Sequence, residues 1–346
     1  MQIHQFNPLL DARWDDFLAR HADASVFHQS GWLRALEQSY GYEPCVLTNA
    51  EPGQPLSDGI VMCRVSSWMT GSRLVSLPFA DHCEPLLNGA AEAANLMQRI
   101  QAEAHRGLWQ YVELRPLIDL PLSREGSSPG QAFWYHELNL RPSVRELFSG
   151  LHKNSFQRKI RRAEREGLSL EIGNSESMVE EFYRLLLLTR RRHRLLPQPR
   201  LWFKNLRQFM GEQLEIMVAR KEGIAIAALL ILRHRSTVVF KYGCSDASYH
   251  NLGAIPFLMW KLIERSRITG AARVDFGRSD LHNRGLITFK DRLGAAKRML
   301  TYYRFAGTQS TKDANLRRHR EFWSPLSNLP DFVLSTAGRV LYRHMG

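Results

Sequence analysis

The sequence predicts a mixed α/β (α+β) fold laid down twice in one chain of 346 residues. Three observations carry this. The second half reads helix, helix, three antiparallel strands, helix, strand, short helix, strand. The first half repeats that order in weaker form. Neither half shows the strict β-α-β alternation of a doubly wound parallel sheet, so the sheets should be mixed and mostly antiparallel. A hydrophobic content of 44% at this length is enough to bury two cores.

The elements of the second half follow from spacing and punctuation. In "HKNSFQRKIRRAEREG", Phe156, Ile160 and Ala163 fall at i, i+4 and i+7, one apolar stripe. Asn154 or Ser155 can cap that helix and Gly167 can end it. "LSLEIG" follows as a strand, and Ser177 with Glu180 reads as a capping box opening "MVEEFYRLLLLTRRRH". After Pro197 and Pro199 comes the helix "LWFKNLRQFM". "LEIMVAR", "IAIAALLILR" and "TVVFKYG" are strands joined by short turns. The loop "CSDASYHNLGA" leads into the amphipathic helix "IPFLMWKLIERSRITG". "ARVDFG" is then a strand that Gly277 ends with a sharp turn, "LITFKDRLG" a short helix and "RMLTYYRF" the last strand.

On the same template, "GWLRALEQSYGYEPCVLTN" lies over "LWFKNLRQFMGEQLEIMVA". "GIVMCRVSS" and "RLVSLPF" supply two more strands, "AEAANLMQRIQAEAHRG" a helix, and "YVELRP" takes the place of "VDFGRS". Glu113 and Arg115 then stand where Asp275 and Arg278 stand in the second half. A period of half the chain indicates duplication of one unit.

Charge separates the copies. Residues 1–150 hold 11 Arg, no Lys and 17 Asp or Glu, a net −6, whereas the remainder, 36 basic against 17 acidic, carries +19. The second half should therefore meet an anionic partner: nucleic acid, a phosphorylated metabolite or a membrane surface. Cys45, Cys63, Cys83 and Cys244 show no CxxC spacing and no Cys/His cluster, so neither a disulfide framework nor a bound metal is expected. The start lacks the pattern of a secretory signal, and the longest apolar run, Ile224 to Leu232, is too short to span a bilayer as a helix. A cytoplasmic protein is the expectation, with peripheral contact at an inner membrane face left open.

The order of elements resembles the GNAT acetyltransferase fold, and two copies in one chain resemble the FemAB-like aminoacyltransferases. The residues that carry the resemblance are "LHKNSFQRKIRRAEREGLSLEI" and "YGCSDASYHNLGAIPFLMWKLIERSRITGAARVDFGRSDLHNRGLITFKDRLGA". They are similar to the FemAB-related branch associated with exopolysaccharide and PEP-CTERM/exosortase systems. The likeness is strong over residues 150–305 and loose over 1–150, through "LPFADHCEPLL". It implies a GNAT-like domain at 1–149, a second at 150–306 and a helical tail at 307–346.

"DFG" invites a kinase reading, but no Gly-rich phosphate loop precedes it and "RHRS" is no catalytic loop. Two readings of this turn stand side by side. In one, Asp275 ends a strand with Arg278 as its ion-pair partner. In the other, both lie at the mouth of a cleft beside splayed strands: Arg278 and Ser279 hold an anionic group, and Asp275 orients an attacking amine or takes its proton. Tyr242, with Ser245 and Asp246, can line the opposite wall. By resemblance the Phe-Lys pair of "TFKDRLGA" belongs to the same cleft, making Lys290 a candidate for substrate phosphate or carboxylate; otherwise it is a surface lysine.

The loop "SYHNLGA" precedes a helix, where backbone N–H groups can cradle a pyrophosphate. The GNAT pattern there is Arg/Gln-x-x-Gly-x-Gly/Ala, and His250, Gly253 and Ile255 occupy its places, so only the central Gly matches. Gly253 is either part of a cofactor loop or a tight-turn residue. Lys153, Arg158 and Arg161, with Lys159, Arg162 and Arg165, make a basic helix that can bind phosphates, joined by Arg190, Arg191, Arg192 and Arg194. No Ser-His-Asp or Cys-His order stands out, which favours direct attack by a substrate amine.

The resemblance thus implies an N-acyltransferase that moves an acyl or aminoacyl group onto an amine of a cell-envelope or exopolysaccharide precursor. The donor would be acetyl-CoA or aminoacyl-tRNA, and the partners a phosphate-bearing substrate, tRNA or a lipid-linked precursor. The alternative is a GNAT-like module without chemistry that docks nucleic acid or an acidic membrane surface.

Overall fold

The computed structural model describes residues 3–69, 71–89, 98, 100–102, 104, 109–118, 127–306, 338 and 340–344. The chain divides into two compact units. The first holds Met1–Phe133 and takes back residues 300–306 and 340–344; the second holds Trp134–Met299. These limits differ from the expected 1–149 and 150–306. The expected helix at 91–107 lies mostly outside the described residues, as does most of the expected tail.

The first unit contains β1 (His4–Phe6), α1 (Arg13–Arg20), a 3-10 turn (Val26–His28), α2 (Ser30–Tyr40), β2 (Glu43–Thr48), β3 (Ile60–Ser67), β4 (Gly71–Val75) and β5 (Tyr111–Leu114). Trp14, Phe17 and Leu18 recur at i, i+3 and i+4 and are the buried face of α1. Gly41, at φ +70°, ends α2 in the left-handed conformation that glycine adopts without strain. The strands run β1-β2-β3-β4-β5, antiparallel except for the parallel step from β4 to β5. The antiparallel strand beyond β5 comes from the far end of the chain, through Tyr303–Ala306.

The second unit begins within β6 (Ser127–Asn139) and continues through α3 (Val144–Gly150) and a π-helical turn (Lys153–Gln157) into α4 (Arg158–Arg165). Then come β7 (Ser169–Gly173), α5 (Glu176–Arg192), α6 (Arg200–Met210), β8 (Leu214–Lys221), β9 (Ile224–His234) and β10 (Thr237–Ser245). α7 (Ala254–Ile268), β11 (Arg273–Asp280), α8 (Arg284–Asp291) and the start of β12 (Ala296–Ala306), as far as Met299, complete it. The strand order is β7-β8-β9-β10-β11-β6, with antiparallel ladders up to β10 and a parallel step from β10 to β11. Each unit therefore repeats one plan: an antiparallel meander, then a parallel strand reached through a crossover. β4/β5 and β10/β11 are the equivalent pairs, and "YVEL" does occupy the place of "VDFG".

Some local expectations are corrected. His152, not Asn154 or Ser155, caps the turn before α4; its Nδ1 accepts from the Ser155 N–H at 3.2 Å. Ser175 rather than Ser177 caps α5, with its hydroxyl accepting from Met178 N at 3.3 Å. Gly277 takes φ +65° yet does not end its strand, and β11 runs on to Asp280. β1, α1, β6 and α3 are additions to the sequence reading.

Phe156, Ile160 and Ala163 of the π turn and α4, and most of α7, pack onto one face of the second unit's sheet with Val238, Val274, Phe276 and Leu138. α5 and α6 cover the other face: the tilted rings of Phe182 and Phe203 lie 5.3 Å apart, and Phe203 meets Tyr242 edge-on at 5.3 Å.

All four cysteines are free and buried. Burial raises each thiol pKa, Cys45 to about 12. A thiol-specific chromogenic reagent should therefore leave the native protein unmodified and titrate all four cysteines after denaturation; rapid reaction of the folded protein would contradict this packing.

Candidate active site

β10 and β11 pair side by side only from Thr237/Arg273 to Val239/Asp275, although β10 continues to Ser245 and β11 to Asp280. A bulge between Phe240 and Tyr242 bends β10 just past that point, and positive φ at Gly277 bends β11. The strands part into an open V with Asp275 at its base. Because Val238, Phe240, Val274 and Phe276 face the α4/α7 core, Asp275 and Val239 face the α5/α6 side.

Asp275 is 2% exposed, and its Oδ1 accepts from the Gly277 N–H at 2.6 Å. Lys290 is also 2% exposed; its Nζ donates to the carbonyls of Gly277 at 3.0 Å and Arg278 at 2.9 Å. Expected at the substrate or on the surface, Lys290 is in neither place. Its ammonium is a strut from α8 that fixes the kink from behind. Arg278 is half-buried, and the Ser279 hydroxyl is buried with no hydrogen-bond partner among the described residues.

Tyr242 lies on the Asp275 side of the sheet. Its hydroxyl accepts from Trp202 Nε1 at 3.0 Å, which fixes the ring against α6. Sequence reasoning missed Tyr135 and Glu137, which share this face from β6. Tyr135 is 2% exposed and its hydroxyl donates to Glu137 Oε2 at 3.3 Å. Burial, then the negative charges of Asp275 and Glu137, push the phenol pKa well up, so Tyr135 stays protonated at neutral pH. The one signal available was the apolar alternation of "FWYHELNL".

His250 and Gly253 sit in the loop after β10. His250 Nε2 lies 3.0 Å from Ser245 Oγ. Desolvation and then the Arg192 charge lower its pKa, with Lys159 and His193 adding to the effect against Asp246. Gly253 has φ +78°, and a Cβ there would stand 2.6 Å from the Lys159 carbonyl oxygen. Close passage of α4 thus requires glycine, whatever else the loop binds.

Lys153, Arg158 and Arg161 are exposed, as are Lys159, Arg162 and Arg165. Their helix packs on the sheet face opposite Asp275, so the structure does not bring this basic array to the Asp275 side; Lys159 alone connects it to the His250 loop. Arg190 and Arg192 are tied into the fold, through Gln198 Oε1 at 3.0 Å and the Ser245 carbonyl at 3.1 Å.

The equivalent V of the first unit is plugged. Glu113 accepts from Arg115 Nε at 2.9 Å and Arg304 Nε at 2.7 Å, and Arg115 Nη1 donates to the carbonyls of Leu77 at 3.0 Å and Ala80 at 3.3 Å. Burial would raise the Glu113 pKa, but the two guanidinium groups outweigh it and hold the carboxyl below its usual value. Leu77 and Phe79 keep positive φ in the loop that Arg115 clamps.

Among the described residues no group of three or more His, Cys, Asp or Glu is placed to hold a metal, and no helix is long and apolar enough to cross a membrane.

A layered mixed sheet with a parallel pair that splays open defines an acyltransferase-type fold. Residues 151–290, within the second unit, match the family described as acetyltransferase (GNAT) domain. No curated protein matches the chain in sequence. Among solved structures, it is similar to FemX, with TM-score 0.68 and 11% identity over 88% of this chain and 97% of that one. A tandem GNAT protein from the clavulanic acid biosynthesis pathway gives 0.54 and 11% over 88% and 97%. The C-terminal domain (DUF2156) assigned to lysylphosphatidylglycerol synthetase in Agrobacterium fabrum gives 0.59 and 13% over 88% and 93%. These identities establish shared fold. The FemAB-like, tandem GNAT resemblance seen in the sequence therefore holds for the architecture.

Two outcomes follow. Lys290→Met should leave two buried carbonyls without a donor and cost about 2–4 kcal/mol in urea unfolding. His136, fully buried beside Lys290 and 3.3 Å from Asp291 Oδ1, has its pKa lowered from 6.5 by desolvation and then by the Lys290 charge. The unfolded chain binds that proton first as pH falls, so stability should drop below about pH 6.5. In His136→Gln, unfolding midpoints measured across pH 5–7 should show a shallower slope, and an unchanged slope would remove His136 from the account.

Proposed function

We propose that this chain is an N-acyltransferase whose chemistry takes place in the V between β10 and β11 of the second unit. The observation that carries the reading is the buried Asp275 carboxylate at the base of that opening, with Tyr135 protonated on the same face. Arg278 binds the anionic part of a substrate at the kink. The acceptor amine attacks the acyl carbonyl carbon, a C–N bond forms, and the C–S bond of a thioester or C–O bond of an ester breaks. Asp275 takes the proton released by the amine, and Tyr135, protonated on the same face, gives one to the leaving sulfur or oxygen. Beyond Val239, β10 no longer pairs with β11, which frees backbone groups on that edge to stabilise the oxyanion.

The donor is acetyl-CoA or an aminoacyl-tRNA, and the acceptor an amine on a cell-envelope or exopolysaccharide precursor. The fold shared with FemX and with a domain assigned to lysylphosphatidylglycerol synthetase supports an aminoacyl donor and an envelope acceptor. The departure of the His250 loop from the GNAT pattern favours the same donor. A second reading, a binding module without chemistry, draws on the exposed cations of α4 that lie away from the V.

The test is transfer of labelled acetyl from acetyl-CoA, and of a labelled aminoacyl group from charged tRNA, to amine-bearing precursors. Asp275→Asn and Arg278→Ala should each lower the rate about 100-fold or more while leaving the fold intact. Absence of transfer from either donor, with both variants binding polyanions like the parent, would replace the enzyme with the binding module.

A further inference from the structure

α4 turns a stripe of arginines away from the core. Ile160 and Ala163 are fully buried, and the helical repeat puts Arg158, Arg161, Arg162 and Arg165 within an arc of about 100° centred opposite them. All four are exposed, as are Lys153 and Lys159, and residues 153–166 set these six cations against two carboxylates, Glu164 and Glu166. Elsewhere in the second unit cations are paired: Arg220 reaches Glu181 at 2.6 Å, Arg233 Glu215 at 2.9 Å and Lys261 Glu264 at 2.8 Å. On α4, Arg162 has Glu166 at 3.6 Å and Arg161 lies over the Phe148 ring at 5.7 Å. The side chains of Lys153, Arg158, Lys159 and Arg165 make no ion pair or hydrogen bond among the described residues. The stripe is firmly seated: His152 N donates to Arg292 O at 2.9 Å, and Arg292 Nη1 to Ser155 Oγ at 2.9 Å. Its members stand at i, i+3 and i+4, so like charges repel one another along about 10 Å of helix, a cost that an anionic partner removes.

Side-chain type and placement select the occupant. The guanidinium fork matches phosphate oxygens in pairs. Among the described residues no large apolar side chain from Val144 to Gly167 is exposed, so nothing here enters a bilayer and no aromatic face is offered to unpaired bases. That leaves the phosphates of a duplex, and the two carboxylates choose between duplexes. Glu164 and Glu166 flank the stripe, each about 100° from its centre. In the B-form major groove, about 12 Å wide, the helix would enter and its flanks would carry both carboxylates to the phosphate rows. The A-form major groove is too narrow to admit it, so the outward arginines meet the close phosphate rows at its lips while the carboxylates stay outside. We infer that α4 is a docking surface for the phosphate backbone of double-stranded RNA, carried by Arg158, Arg162 and Arg165. The surface lies on the sheet face opposite Asp275 and is independent of the acyl-transfer reading, so either can fail alone.

The experiment is fluorescence anisotropy of a labelled RNA hairpin with a stem of about 16 base pairs, titrated with the full chain. A DNA duplex of the same sequence, single-stranded RNA and phosphatidylglycerol vesicles are compared with it. The RNA stem should bind about tenfold or more tighter than the DNA duplex or the single strand, and log affinity should fall linearly with log salt. Arg158→Gln/Arg162→Gln/Arg165→Gln should weaken that binding about tenfold or more and flatten the salt slope by about 3. Its melting temperature should be unchanged, because the three side chains are exposed. Lys204→Gln, which removes a cation paired with Glu176 at 2.9 Å elsewhere in the unit, should bind like the parent. Asp275→Asn should also bind RNA like the parent, which separates this surface from any effect on transfer. Equal affinity for the DNA duplex, or unchanged affinity in the triple variant, overturns the inference. So does loss of vesicle binding in the triple variant without loss of RNA binding, which would reassign the stripe to an anionic membrane.

Discussion

The geometry of the second unit depends on one buried cation. Lys290 Nζ, sequestered between α8 and β11, donates to the carbonyls of Gly277 and Arg278. A strand bent by positive φ turns its carbonyls away from the ladder, and in a dry interior an unbonded carbonyl is expensive. Fixing both with an ammonium lets β11 depart from β10 and still run on to Asp280. The Asp275 carboxylate closes the same bend from the other side by accepting the Gly277 N–H. Each face of the kink thus has its own anchor in the backbone of Gly277.

The first unit solves the same topological problem with the opposite result. Its splayed pair places Glu113 where Asp275 stands, but Arg115 folds into the opening and bonds the loop carbonyls of Leu77 and Ala80. Glu113 is compensated by two guanidinium groups, and Arg115 occupies the space that stays open beside Asp275. Two copies of one plan have therefore diverged into a plugged support and an open cleft. The charge contrast between the halves of the chain agrees with that division.

How much of this was legible follows from where each signal resides. The apolar stripe of Phe156, Ile160 and Ala163, the three strands of the meander and the equivalence of "YVEL" with "VDFG" are local or periodic, and all could be read directly. β6 was not, because its first residues, Ser127 to Gly130, include Pro129 and are poor strand formers that only pairing partners hold extended. Lys290 could not be assigned for a related reason. On a short amphipathic helix a buried strut and a surface lysine have the same neighbours in sequence, and the carbonyls that distinguish them lie 12 and 13 residues earlier. Tyr135 joined the site only once β6 was placed beside β11.

Sheet geometry also explains why the basic helix is not part of the Asp275 cluster. Side chains alternate across a strand, so residues one apart on β11 belong to different environments. Phe276 serves the core under α4, while Asp275 looks toward α5 and α6. The cations of α4 therefore present their charge on the far side of the sheet, and only Lys159, packed against Gly253, approaches the loop after β10. That loop is where Lys159 of the basic helix meets the continuation of β10. The exposed cations of α4 and the Asp275 carboxyl group are thereby kept on opposite faces of the sheet.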